Sequence, residues 1–112
     1  MDKVDVFRGT LYFDDWEVYI DRLIVREDSM SIEGTGKGEF GTLRFTGDGQ
    51  DTYAKAFLGL EVTYEMFSDV TQIDIALISL EKYKIKKKSM KIKGYWEEDG
   101  ESYEFKAKLK RW

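Results

Sequence analysis

Residues 89–109, SMKIKGYWEEDGESYEFKAKL, are the stretch of this chain that decides its fold. Apolar and polar side chains alternate up to Trp96 and alternate again from Tyr103, with an acidic, glycine-containing segment between them. A period of two residues is typical of a strand with one buried face. The composition of residues 97–101 is that of a turn. This stretch therefore predicts an antiparallel β-hairpin.

The same alternation continues upstream along most of the chain. It predicts strands at about 4–13, 16–25, 30–36, 40–46, 52–58, 59–69 and 71–81 before the final hairpin, and it places Ile73, Ile75 and Leu77 on one face. The segment 59–69 also fits a helical turn, through Leu60, Tyr64 and Phe67. The segment Gly47-Asp48-Gly49-Gln50-Asp51 has the composition of a hairpin loop. Short loops between successive strands favour an antiparallel up-and-down meander. We therefore predict an all-β fold of about 8–10 strands, nine by this reading, in which residues 1–112 form one small barrel or flattened sandwich.

Three local features refine this prediction. The alternation slips near Leu23, which predicts a β-bulge near Asp21 or Arg22. Glycines at 34, 36 and 38 share the inward phase of Met30 and Ile32, which indicates curvature or a close approach between backbones. Residues 29–34 (SMSIEG) resemble residues 89–94 (SMKIKG), either as a repeated hairpin or as two strands under the same packing demand.

The composition excludes several classes of chemistry. The chain has no cysteine and no histidine, so disulfides, Cys/His zinc sites and Ser/His/Asp catalysis are excluded. The segment 48–51 lacks the alternating ligands and distal glutamate of a calcium loop. We expect no enzymatic activity, no metal and no cofactor. The N-terminus lacks a signal-peptide pattern, and no apolar run approaches the ~20 residues of a membrane helix. The expected location is therefore cytoplasmic, with no membrane partner.

Carboxylates are concentrated in alternate turns of the predicted meander, which would place them at one end of the sheet. They belong to Glu27, Asp28, Asp48, Asp51, Asp69, Glu97, Glu98, Asp99 and Glu101. An acidic rim of this kind attracts a cationic partner, and the alternative is a set of solvated loops. The candidate partner-binding residues are Asp48, Asp51, Asp69, Glu98 and Asp99, with Tyr64 and Phe67 as apolar anchors.

Basic residues are concentrated in the last third of the chain. Residues 1–80 carry 7 basic and 16 acidic side chains, whereas residues 81–112 carry 11 basic and 6 acidic ones. Seven lysines between Lys82 and Lys93 lie near aromatic residues, a pattern compatible with single-stranded nucleic acid. It is equally typical of the outer face of an exposed strand, where lysine blocks edge pairing. Because the rest of the chain is acidic, we do not expect nucleic acid as a partner.

The aromatic residues Trp16, Tyr19, Trp96, Tyr103 and Phe105 have two interpretations. They could line a cavity for a small apolar ligand, or they could fill the interior of the barrel.

Short glycine-containing motifs give the chain a family resemblance. The segments 32–36 (IEGTG), 38–40 (GEF) and 92–96 (IKGYW) resemble small bacterial lipocalin-like barrels and, more broadly, the lipocalin, fatty-acid-binding and avidin group. The resemblance implies a β-barrel and carriage of a small apolar ligand, although no counterpart of the helical lid of fatty-acid-binding proteins follows strand one. Barrels of this size also occur among bacterial toxin-immunity proteins.

Together these observations predict a non-enzymatic binding protein. We expect an immunity-type inhibitor that masks a basic toxin, for example a nuclease, with its acidic rim. The alternative is a lipocalin-like carrier of a small apolar ligand.

Overall fold

A computed structural model describes residues 4–14, 16–38, 41–52, 55–66 and 71–112, with the backbone alone for Gly38, Asp51, Thr52 and Met66. These residues form eight β-strands and no helix. The strands are β1 (Asp5–Tyr12), β2 (Glu17–Val25), β3 (Ser29–Gly38), β4 (Gly41–Thr52), β5 (Lys55–Met66), β6 (Thr71–Ile85), β7 (Ser89–Glu98) and β8 (Glu101–Arg111). In this part of the chain, no helix has the length and apolarity needed to cross a membrane.

Each strand pairs antiparallel with the next, and β8 pairs with β1 to close the barrel. The predicted all-β meander is confirmed, and of the two architectures the barrel is the one observed. Arg111 fastens the closing seam. Its guanidinium contacts the buried carboxylate of Asp5 and donates to the carbonyl oxygens of Lys86 and Lys87 at 3.1 and 2.8 Å.

The eight observed strands lie within the predicted range of about 8–10, although the strand-by-strand assignment gave nine. The segment predicted as a hairpin loop continues β4, where Asp48 pairs with Ser31 on one side and with Gly59 on the other. A Cβ atom at Gly47 or Gly49 would collide with the β5 backbone. These glycines therefore permit a close approach of two strands rather than a turn. The two predicted strands at 52–58 and 59–69 are correspondingly one strand, β5.

The interior is filled by side chains that alternate along every strand. Trp96, Phe7 and Phe105 are each at most 1% exposed and belong to one continuous apolar core. The predicted inward phase is confirmed on β7 and, up to Gly34, on β3, where the ring of Phe45 takes the Cβ position of Gly34. On β8 it is confirmed from Phe105 onward, whereas Tyr103 is 38% exposed. On β6 the buried residues are Ala76, Ile78 and Leu80, so the predicted apolar face of Ile73, Ile75 and Leu77 points outward.

The bulge predicted near Asp21 is present, since the β2–β3 register shifts between Ile20 and Arg22. An equivalent shift occurs on β6 between Leu80 and Lys82. In both cases the residue before the bulge pairs with a glycine on the next strand, Ile20 with Gly34 and Leu80 with Gly94. The series β2–β3–β4 and the series β6–β7–β8 therefore have the same register. Equivalent positions in the two series differ by 60 in residue number, as Ile20 and Leu80 do. The sequence echo thus marks a repeated arrangement of strands.

Candidate functional site

The parity of the meander decides where the predicted acidic residues lie. With eight strands, the β1–β2 and β7–β8 connections lie at one end of the barrel, and the β2–β3 and β6–β7 connections lie at the other. Glu27 and Asp28 therefore share an end with three lysines, 86–88, while Glu98 and Asp99 lie at the opposite end. The prediction of one continuous acidic rim was wrong. The assignment divided β5 into two strands, and one additional strand moves every later turn to the opposite end of the barrel.

The seven candidate partner-binding residues divide accordingly. Tyr64, Glu98 and Asp99 lie together at the end of the barrel that carries the β7–β8 turn, which we call the acidic end. Asp48 is an exposed residue on the outer face of β4, near the opposite end. Asp51 belongs to β4 and pairs with Ala56, and its side chain is not described. Phe67 and Asp69 lie outside the described residues.

The β7–β8 turn is a two-residue loop with a demanding backbone geometry. Asp99 and Gly100 both have positive φ values, 54° and 78°. Asp-Gly is the pair preferred for a type I′ hairpin turn, whose twist matches that of the flanking strands. The turn therefore fixes the position of Glu98 and Glu101, which pair across it.

Glu98 is the centre of a hydrogen-bonded cluster at this end. Its Oε2 accepts from the Tyr64 hydroxyl at 2.6 Å, and its Oε1 accepts from Trp96 Nε1 at 3.1 Å. Burial, and then the bond to the Glu98 carboxylate, raise the pKa of Tyr64 above its ordinary value, so the phenol stays a donor. Tyr64 is thus a partner of Glu98 inside the barrel mouth and not an exposed anchor.

Carboxylate oxygens of Asp74, Glu98 and Asp99 lie within 4.8 Å of one another. Oxygen ligands of this kind suit Mg²⁺ or Ca²⁺. Both oxygens of Glu98 already accept one hydrogen bond each from protein donors, which uses about half of the lone pairs that this carboxylate could offer an ion in the cluster. Its main chemical effect is a concentration of negative charge at the barrel mouth.

Aromatic rings close the interior beneath this cluster. Phe13 and Trp16 stack with centroids 4.1 Å apart, and Trp16 meets Trp96 edge to face at 6.0 Å. Phe13 also packs against Phe105 at 5.5 Å. Of the five aromatic candidates for a ligand cavity, Trp16, Trp96 and Phe105 belong to this packing, and Tyr103 contacts its edge through Trp16. Tyr19 is 42% exposed and lies on the outer face of β2.

A groove of about 560 Å³ runs along the outside of the barrel beside the β7–β8 turn. One wall is apolar and consists of Ile75 and Leu77, which are 73% and 37% exposed. The other wall carries the exposed acidic residues Glu97, Asp99 and Glu101, and the half-buried Glu98 also lines the groove. We call it the acidic groove. Gly59, opposite Leu77, has open space around its Cβ position and leaves the groove accessible from β5.

Exposed apolar side chains extend the apolar wall. Ile73 on β6 and Phe57 on β5 are 61% and 58% exposed. Exposed large apolar groups next to charged ones are typical of protein docking surfaces. The sequence contained this signal. Between residues 73 and 80 apolar side chains occupy both faces of the predicted strand, as they do in a strand that is contacted on both faces.

No protein family, no curated protein and no solved structure that was compared matches this chain. The barrel and its surface are therefore the basis for any functional assignment.

Proposed function

We propose that this chain is a non-enzymatic binding protein that docks a basic partner protein in the acidic groove. The observation that carries the proposal is the union of two features in one groove, an exposed apolar wall on β6 and a wall of three carboxylates at the β7–β8 turn. Apolar anchors supply most of the binding free energy of such interfaces, and surrounding charge sets the partner's sign and the association rate.

The partner class that fits this groove is a cationic protein with an apolar patch. A basic toxin, for example a nuclease, is such a protein, and an immunity-type inhibitor that masks it needs a groove with this combination of charge and apolar surface. The charge of the whole end supports it, because Glu98 also lines the groove and the Asp74 carboxylate lies within 4.8 Å of those of Glu98 and Asp99, which adds to the negative potential. The rigid Asp-Gly turn also supports it, since a preorganised surface loses little entropy on binding. A cytoplasmic location belongs to the same proposal.

The lipocalin-like alternative, carriage of a small apolar ligand, has weaker support. Inside the barrel Phe45 packs against Trp96, and Phe13, which stacks on Trp16, contacts both Trp96 and Phe105. The interior volume near the acidic end is therefore occupied by side chains.

Isothermal titration calorimetry tests the proposal, with the toxin candidate being any basic protein that an adjacent open reading frame is found to encode. The groove variant is Glu97→Gln/Asp99→Asn/Glu101→Gln. The matched control removes the same charge from the opposite half, as Glu27→Gln/Asp28→Asn/Asp48→Asn. We expect the groove variant to weaken binding at least about 100-fold, or roughly 3 kcal/mol, and the control to change it less than about threefold.

A second variant tests the apolar wall separately. Ile75→Ser/Leu77→Ser should weaken binding by a similar factor through faster dissociation, whereas the carboxylate variant should mainly slow association. Equal losses in the groove variant and its control would leave only a non-specific charge effect. Absence of binding to that protein at low salt would contradict the proposal directly.

A further inference from the structure

The outer face of β6–β7–β8 carries a regular array of lysines. Lys93 on β7 pairs with Lys82 on β6 and with Lys106 on β8, and Lys84, Lys91 and Lys108 form the next row in the same way. All six are exposed, and we call them the lysine grid. Together with Tyr12, Lys55 and Glu81, they line a groove of about 910 Å³ on the outside of the barrel.

The grid is an electrostatic cost to the fold. Side chains directly opposite in an antiparallel pair lie about 5 Å apart, and like charges there are destabilising. Lys93 has a carboxylate partner, Glu104 at 3.6 Å. Within the described part of the chain, no carboxylate lies within salt-bridge distance of the other five grid lysines.

Protection of a sheet edge does not account for the grid. Lysine on an exposed edge strand blocks unwanted pairing, but β6, β7 and β8 each have strands paired on both sides. The equivalent positions of β2–β3–β4 confirm that the backbone needs no lysine there. They are Arg22, Glu33 and Thr46 in the first row and Ile24, Ser31 and Asp48 in the second.

Two exposed aromatic rings lie beside the grid, where β8 pairs with β1. Tyr12 is 59% exposed and pairs with Lys106. Trp112 is 63% exposed, and the guanidinium groups of Arg8 and Arg22 lie over its ring at 5.8 and 5.4 Å. Arg8 pairs with Lys110, so the cationic surface is continuous from the grid to this tryptophan.

From this arrangement we propose that the lysine grid binds single-stranded nucleic acid, with Tyr12 and Trp112 as stacking platforms. Lysine presents a point charge rather than the fork that recognises base edges, so its contacts are with phosphates and independent of sequence. Stacking on exposed rings requires unpaired bases, which a duplex does not offer. The site lies on a different surface from the acidic groove and does not depend on the function proposed for it.

Fluorescence anisotropy with labelled oligo(dT) and oligo(U) tests this site in the full chain. We expect saturable binding that weakens about 100-fold between about 50 and 200 mM salt, as about five phosphate contacts require. A duplex of the same length should bind more weakly, because its bases are already stacked.

The grid variant Lys84→Ile/Lys91→Ser/Lys106→Thr introduces the residues that occupy the equivalent positions of β2–β3–β4. Its matched control, Lys86→Gln/Lys87→Gln/Lys88→Gln, removes the same charge from the β6–β7 turn. The grid variant should bind at least about tenfold more weakly, with a salt slope smaller by about two, and the control should change affinity less than about threefold. Tyr12→Leu should weaken binding about tenfold and leave the salt slope unchanged.

Three results would overturn the proposal. They are the absence of saturable binding at low salt, equal weakening by the grid variant and the turn control, and binding to phosphatidylserine vesicles without binding to either oligonucleotide. Circular dichroism of each variant establishes that it is folded, so that a loss of binding can be assigned to the surface.

Discussion

The strand series β2–β3–β4 and β6–β7–β8 have the same backbone register but opposite surface chemistry. Phe45 and Phe105 both face inward and pair with a glycine, Gly34 or Gly94. On its other side each glycine pairs with the residue that precedes a bulge, Ile20 or Leu80. On the outer face, Arg22 meets Glu33 at 3.6 Å in the first series, whereas Lys82 meets Lys93 in the second. The comparison teaches that the inner residues determine the backbone and that the outer residues are free to serve binding.

The largest expected effect tests whether the inner faces are equivalent. Phe45→Ala and Phe105→Ala should each lower the free energy of unfolding by about 3–5 kcal/mol, because both rings are at most 3% exposed and leave a cavity. Urea denaturation of the two variants measures it. A loss below about 1 kcal/mol in one variant alone would show that the two series do not carry equal shares of the core.

A somewhat smaller effect is expected at the paired glycines. A Cβ at Gly34 would meet the Tyr19 carbonyl oxygen and one at Gly94 would meet that of Ser79, so Gly34→Ala and Gly94→Ala should each cost about 2–3 kcal/mol. Gly59→Ala is the control, since its Cβ would have no neighbour within 4 Å. It should leave the melting temperature unchanged or raise it slightly. Destabilisation by the control equal to that at Gly94 would refute the close-approach explanation.

The third prediction concerns the acidic end, where the two series differ. The position equivalent to Glu98, 60 residues earlier, is Gly38, which has no carboxylate. Tyr64→Phe removes the 2.6 Å bond to Glu98 and should cost about 1–1.5 kcal/mol at neutral pH. Tyr103→Phe, which removes an exposed bond to Glu101, is the control and should cost less than about 0.5 kcal/mol.

The same tyrosine predicts a pH dependence. Because the folded state raises the pKa of Tyr64 above the ordinary value of 10.0, its contribution to stability is complete below that value. The contribution declines as the pH rises above 10, where the unfolded chain releases this proton and the folded chain retains it. As the pH rises from neutral to above 10, the stability of the Tyr64→Phe variant should therefore fall less steeply than that of the unsubstituted protein. Identical slopes for the two proteins in urea titrations would contradict this assignment.

The smallest expected effect concerns the lysine grid. The variant Lys84→Ile/Lys91→Ser/Lys106→Thr should keep or raise stability, by about 0.5 kcal/mol or less, because it relieves like-charge neighbours. The gain should shrink as salt screens the remaining charges. Thermal unfolding at low and high salt measures both. Clear destabilisation would mean that the lysines support the barrel, which would remove the contrast between the two outer faces.

The local pattern of apolar side chains was enough to predict much of the barrel. Alternation at Met90, Ile92 and Trp96 determines the inward face of β7, and the phase slip near Leu23 locates a bulge. The segment around Asp48 was misjudged because glycine has two uses. It suits a turn, and it also permits two strands to approach closely, which is its role at Gly47 and Gly49. Sequence composition does not distinguish these uses.

The sequence by itself determined that this chain is an antiparallel β-meander without histidine or cysteine chemistry, because side-chain alternation and residue type are local properties. Only the tertiary structure decided which charges share a surface. Each turn's end depends on the number of strands before it, and the lysine grid depends on the register between strands far apart in sequence. Those relations arise from pairing across the closed barrel, so the acidic groove and the lysine grid exist only in the folded molecule.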